Sequence, residues 1–196
     1  MIPIKNKKKS LEATVEEMRN FTFTYIEKYS PSKQQLKTYL LKKYLNTKIP
    51  NINKKNITDL IDVVLEDLEK TKFINDKFYS NSKAKNLIQR GSSINKIRNY
   101  LLSKGIKYKY IKETIDQIKE NNEEQDFFSA IKICKRKRIG PSRVEDNRSL
   151  FYQKDIAILA RSGFDFETSK KVMTLDKAEY LKIINLLWFI IHIFFN

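Results

Sequence analysis

The sequence predicts an all-α protein, an elongated array of tandem three-helix repeats, and three observations carry that prediction. Apolar residues recur at three- and four-residue spacing through most of the chain. A rhythm of about sixty residues returns on itself. Only 4 glycines and 4 prolines interrupt 196 residues, and most of them stand where one helical pattern stops and the next starts.

Taken in order, residues 1–10 (MIPIKNKKKS) hold four lysines and no periodicity, and are expected to form a disordered basic arm. The first repeat is placed at 11–71, with helices near 11–28, 32–45 and 56–71 and the Glu16/Glu17 pair at a helix start, where carboxylates meet the positive end of the macrodipole. The second repeat is placed at 72–121. Asn75 and Asp76 suit an N-cap, Phe78, Tyr79, Ala84 and Leu87 follow at roughly helical spacing, and Gly91 stops the helix. Ser92 and Ser93 then offer a fresh cap, Ile94, Ile97, Leu101 and Leu102 form the next stripe, and Gly105 ends it. A third helix runs from about 108 to 119 with Tyr110, Ile111, Ile115 and Ile118 inward. The third repeat, 122–175, contains a loop at 140–148 where Pro141, Ser142, Asp146 and Asn147 break the period. Isolated helices of about 10 to 15 residues are marginal in water, so each must be held by its neighbours.

The repeat is visible residue by residue. SKQQLKTYLLKK (32–43) lies over SINKIRNYLLSK (93–104), pairing Leu36 with Ile97, Lys37 with Arg98, Tyr39 with Tyr100 and Leu40 with Leu101. LLSKGIKYKYI (101–111) lies over LARSGFDFETS (159–169), pairing Gly105 with Gly163 and Ile106 with Phe164. Tyr39 and Tyr100, next to leucines at helical spacing, read first as packing residues and second as platforms for base stacking.

Catalysis finds little material. There is one histidine, His192, and one cysteine, Cys134, with no glycine-rich phosphate loop, so no metal site, cofactor or enzymatic activity is expected. Cys134 reads as a small buried hydrophobe, although its neighbours Lys132, Lys135 and Arg136 offer a route to a lowered thiol pKa. The Glu123/Glu124 pair, like Glu16/Glu17, belongs to a helix start rather than an acid–base dyad. A single cysteine and the absence of an apolar leader point to the cytoplasm. The apolar tail in 176–196 (YLKIINLLWFIIHIFF) is shorter than the roughly 20 residues of a membrane span; packing on the last repeat is its first reading, an accidental or poorly ordered tail its second and membrane association its third.

Charge supplies the positive indication. With 39 Lys and Arg against 23 Asp and Glu, the formal net charge is +16, and the pI is near 9.7. Such a chain attracts polyanions. Lys96, Arg98, Lys104, Lys107 and Lys109 cluster in the middle repeat, and Lys132, Lys135, Arg136, Lys137, Arg138 and Arg143 form the densest run. Arginine is the scarcer cation here and offers phosphate a planar fork, which puts Arg98, Arg138 and Arg143 first among them.

Three motifs carry a resemblance over about 11–175: YIEKYSPSKQQLKTYLLKK (25–43), the 73–106 stretch from FINDKFY to LLSKGI, and AIKICKRKRIG (130–140) followed by KDIAILARSGFDFETSKKVM (154–173). In order and spacing they resemble the RecX family, regulatory proteins that restrain the RecA recombinase. The resemblance implies a protein that lies in the groove of RecA filaments on DNA, bridges subunits, and hinders strand exchange, ATP hydrolysis and repressor self-cleavage; a monomer without a small-molecule substrate is expected. The competing reading is a basic helical protein that binds nucleic acid without a recombinase.

Overall fold

The computed structural model describes residues 11–46 and 53–195, with side chains up to Leu187. The basic arm expected at 1–10 lies outside the described residues, and nothing is described of the His192 side chain. Among the described residues the secondary structure is entirely helical. Ten α-helices follow one another: α1 (Val15–Tyr29), α2 (Lys33–Leu45), α3 (Lys54–Lys70), α4 (Asp76–Gln89), α5 (Ile94–Ser103), α6 (Tyr108–Asn121), α7 (Gln125–Lys137), α8 (Arg148–Arg161), α9 (Phe166–Met173) and α10 (Lys177–Phe195). The segment expected as a loop at 140–148 contains two single 3-10 turns, Gly140–Ser142 and Glu145–Asn147.

Two compact units share the chain. One runs through Tyr79 and takes in Lys104–Ile106; the other takes Ser80–Ser103 and everything from Lys107 on. The core of the first is built by α1, α2 and α3, where Met18, Leu36, Leu40, Ile61 and Leu65 lose essentially all contact with solvent. Tyr44 is buried with them and donates its hydroxyl to Glu17 Oε2 at 3.0 Å. Burial and that hydrogen bond push its phenol pKa up, so it stays protonated. Tyr39 stacks on Tyr25 with ring centroids 4.1 Å apart and is half-buried, which occupies one face of its ring.

In the second unit the main core gathers Ala130, Ile131 and Cys134 of α7, Leu159 of α8, Val172 of α9, and Tyr180 and Ile184 of α10. Two residues of the expected inward stripes face solvent instead: Phe78 is 73% exposed and Leu102 49%. The reason is geometric, because neighbours one residue apart on a helix diverge by about 100°. Tyr79 and Leu101 take the buried directions, leaving Phe78 and Leu102 outside.

The repeat is cemented by a joint that occurs in each unit. In the first, Ser32 caps α2, accepting from the Gln35 N–H at 3.2 Å, and donates its hydroxyl to the Lys104 carbonyl at 2.7 Å. The next N–H, that of Lys33, is taken by Asp76 Oδ1 at 2.9 Å. In the second, Ser93 caps α5, accepting from the Lys96 N–H at 3.1 Å, and donates to the Ser162 carbonyl at 3.0 Å. Again the next N–H, of Ile94, is taken by an aspartate, Asp126 Oδ1, at 2.8 Å. Each joint thus satisfies orphan donors of a helix start with groups distant in sequence. Glycine follows both accepting carbonyls, with φ of +72 at Gly105 and +90 at Gly163. A Cβ on Gly163 would sit 2.5 Å from Ser93 Oγ, and one on Gly105 would collide with the side chain of Gln34, so the close approach itself demands glycine.

Candidate polyanion interface

Most cations that form ion pairs are spent on the fold. In the first unit Arg19 pairs with Asp67 at 2.7 Å, Lys33 with Glu69 at 2.6 Å and Lys37 with Asp62 at 2.5 Å. In the second, Arg148 reaches Glu145 at 3.1 Å and also donates to the carbonyls of Met173 and Leu175, closing the end of α9. Lys171 pairs with Glu124.

Arg143, singled out from the sequence, belongs with these. Its Nε and Nη2 donate to Asp155 Oδ2 and Oδ1 at 2.6 and 2.8 Å, a bidentate fork on a fully buried carboxylate. Gly140 N–H donates to the same Oδ2 at 2.8 Å. Burial alone would raise the carboxyl pKa, yet the hydrogen bonds from Arg143 and Gly140 and the nearby positive charge outweigh it and hold Asp155 below its ordinary value. The guanidinium also lies 4.4 Å from the centre of the Phe151 ring. Arg143 therefore shapes the 140–147 segment.

The adjacent run is different. Lys135, Arg136 and Lys137 end α7, Arg138 caps it, and all four side chains are exposed. Arg136 Nη1 donates at 2.9 Å to the backbone carbonyl of Arg90, an exposed arginine in the turn after α4. That turn is pressed against α7, where a Cβ on Gly91 would lie 3.0 Å from Lys132 Cβ and from the Ser129 carbonyl. The fold thereby brings Arg90, Lys135, Arg136, Lys137 and Arg138 to one corner. Among the described residues none of the five has an ion-pair partner. Arg90 escapes a reading based on runs of charge, since it stands 45 residues from the nearest member of the cluster; only its place beside a helix-stopping Gly91 hinted at a turn.

Arg138 adopts a left-handed backbone, φ 54 and ψ 50, while its N–H closes the last turn of α7. The first-helix turns of the earlier repeats place Ser30 (φ 42) and Gly91 (φ 75) in the same conformation. A side-chain-bearing residue costs roughly 1 kcal/mol here relative to glycine. A long exposed cation thus occupies a site where glycine would be more stable.

The other candidates are placed as follows. Lys96 and Lys109 are exposed, Lys107 is the exposed N-cap of α6, and Arg98 is half-buried with Nη1 donating to Asn95 Oδ1 at 2.9 Å. Lys104 falls in the first unit, where its carbonyl serves the Ser32 joint. No hydrogen bond or ion pair among the described residues joins these side chains to the α7 corner.

Reactive chemistry is opposed by Cys134. It is completely buried, and burial, followed by the charge of Asp155, pushes its thiol pKa up to about 12, against the lowering that its basic neighbours suggested. Among the described residues no group of three or more His, Cys, Asp or Glu side chains is arranged to hold a metal ion, and no helix is long and apolar enough to cross a membrane.

No family model matches the chain. A curated relative, "Regulatory protein RecX" of Myxococcus xanthus (strain DK1622), is 27% identical over 168 residues, covering 82% of this chain and 86% of that one. A solved structure described as a crystal structure of regulatory protein RecX superposes with a TM-score of 0.59 at 19% identity, over 81% of this chain and 70% of that one. The chain is thus similar to RecX regulatory proteins in sequence and in fold. Its helical fold is the RecX fold, and the repeated serine–glycine joints and the cationic corner are laid out on that scaffold.

Proposed function

We propose that this RecX-type regulator binds RecA filaments on DNA and inhibits their recombinase, ATPase and coprotease activities. The observation that carries the reading is the acid-free corner of Arg90 and residues 135–138 on a RecX scaffold, with the one cysteine sealed in the core. Five exposed cations with no ion-pair partner among the described residues suit phosphates, which are presented in series along a nucleoprotein filament. A tandem fold with several modest contacts gains affinity through effective concentration rather than through one deep site.

The test is RecA ATP hydrolysis on single-stranded DNA. Sub-stoichiometric addition of the chain lowers the steady-state rate, and Arg90→Glu with Arg138→Glu relieves the inhibition. An unchanged rate up to saturating ratios defeats the proposal.

The same corner favours a second reading, a nucleic-acid binder that needs no recombinase. About 5 phosphate contacts give log K a slope near −4.5 against log salt, so free-DNA binding disappears steeply with salt. Filament association that persists where free-DNA binding has been screened away separates the two.

A further inference from the structure

We propose that a groove in the second unit, formed by α4, α6, α7 and α10, docks an amphipathic helix bearing a carboxylate from a protein partner. It adjoins the cationic corner but shares none of that corner's five residues, and it rests on the reading above only for which protein supplies the helix.

The groove encloses about 890 Å³. One wall uses Asn81, Ala84 and Ile88 of α4, another Thr114, Ile118 and Asn121 of α6, so each wall follows two turns of helix, about 10 Å. Phe127 and Phe128 of α7 and Ile183 and Leu187 of α10 make the remainder largely apolar. The groove is a long slot between helices, and among the described residues no strand offers an edge to an extended peptide, so an inserted helix presenting residues at i, i+3 or i+4 and i+7 is the matching shape.

Charge decides the partner's character. Lys132 lines the slot, is half-buried, and among the described residues no acid pairs with it. Burial pushes its ammonium pKa down, the signature of a cation stripped of water without compensation. The one carboxylate in the lining, Glu124, is already bound to Lys171. A carboxylate arriving on an apolar helix would relieve Lys132. Of the residues whose side chains are not described, 1–10 carry four lysines and no acidic residue, and 47–52 and 188–196 carry no Asp or Glu. A second copy, at formal charge +16, repels. The occupant is therefore an acidic partner.

The experiment titrates the full chain with a fluorescein-labelled helical peptide of leucine and glutamate, and with its leucine–lysine counterpart. The leucine–glutamate peptide binds and its counterpart does not. Ile118→Glu, which places a like charge in the slot, weakens binding at least tenfold, and Lys132→Met at least fivefold while raising the Tm. Arg138→Glu at the corner changes it less than twofold. Asn121→Trp, which fills the slot from an exposed position, gives the same loss should Ile118→Glu fail to fold by circular dichroism. Equal binding by Asn121→Trp and wild type, loss of binding in Arg138→Glu, or displacement by vesicles of anionic phospholipid overturns the proposal. Co-sedimentation with preassembled RecA filaments then names the supplier: pelleting of wild type but not Asn121→Trp identifies RecA, and equal pelleting overturns that assignment. A wild type that does not pellet defeats the regulator reading while the peptide result stands.

Discussion

The cations of the first unit and those at the α7 corner of the second share composition but differ in employment. Arg19, Lys33 and Lys37 each meet a carboxylate on α3 and tie helices together. Among the described residues Arg90 and residues 135–138 meet none, and a guanidinium on a backbone carbonyl links Arg136 to Arg90. Partly exposed pairs of the first kind contribute little each, typically 0 to 1 kcal/mol, yet they neutralise the surface. Among the described residues the corner keeps its charge uncompensated. The difference teaches that position in a charge-rich sequence says less about a cation's role than whether folding brings it an acid.

Arg143 is the sharpest probe of that contrast, because it lies in the basic run but behaves like the structural cations. Asp155→Ala orphans the guanidinium and the Gly140 N–H, with an expected cost of about 3 kcal/mol in chemical denaturation, the lower end for a broken buried pair because Arg143 itself is partly exposed. The sign with pH follows from the depressed carboxyl: the stabilisation is present above the ordinary aspartate pKa of about 3.9 and is lost as pH falls through the lower folded value. An acid-unfolding curve for Asp155→Asn lacking none of the wild-type pH dependence would break the assignment.

The joints test whether the two units are built alike. Gly163→Ala forces a Cβ toward Ser93 Oγ from a left-handed backbone and is expected to cost about 2 kcal/mol. Ser32→Ala and Ser93→Ala each remove a cap and a hydrogen bond to a distant carbonyl, about 1 to 2 kcal/mol apiece. Similar losses in thermal melts would sharpen the equivalence; a loss at one serine alone would break it. The smallest effect has the opposite sign. Arg138→Gly relaxes the left-handed residue and is expected to stabilise the chain by up to about 1 kcal/mol while weakening DNA or filament binding, and a stabilised variant with undiminished binding would remove Arg138 from the interface.

Much of the fold was legible because the repeat writes its own punctuation. Ser32 and Ser93 announce caps, Gly105 and Gly163 announce stops, and the helices between them follow the expected spans within a few residues. Less of the site was legible. Arg143 and Arg138 are indistinguishable in the run KRKRIGPSR, since nothing local tells that Asp155 folds back on one of them. Arg90 carries no signal of its own. Phe78 and Leu102 leave the expected stripe because each lies about 100° from a neighbour, Tyr79 or Leu101, that takes the buried direction, and only the packing of the helix decides which of the two does so.

By itself the sequence determined the helical class and the repeat, because apolar period and capping residues act over a few neighbours and need no knowledge of the rest of the chain. Tertiary structure alone decided which charges are spent and which remain, which glycines are irreplaceable, and where a half-buried lysine waits without an acid. Those outcomes depend on groups tens of residues apart meeting at hydrogen-bond distance, and electrostatic energy is set by separation and burial, which a linear order does not contain.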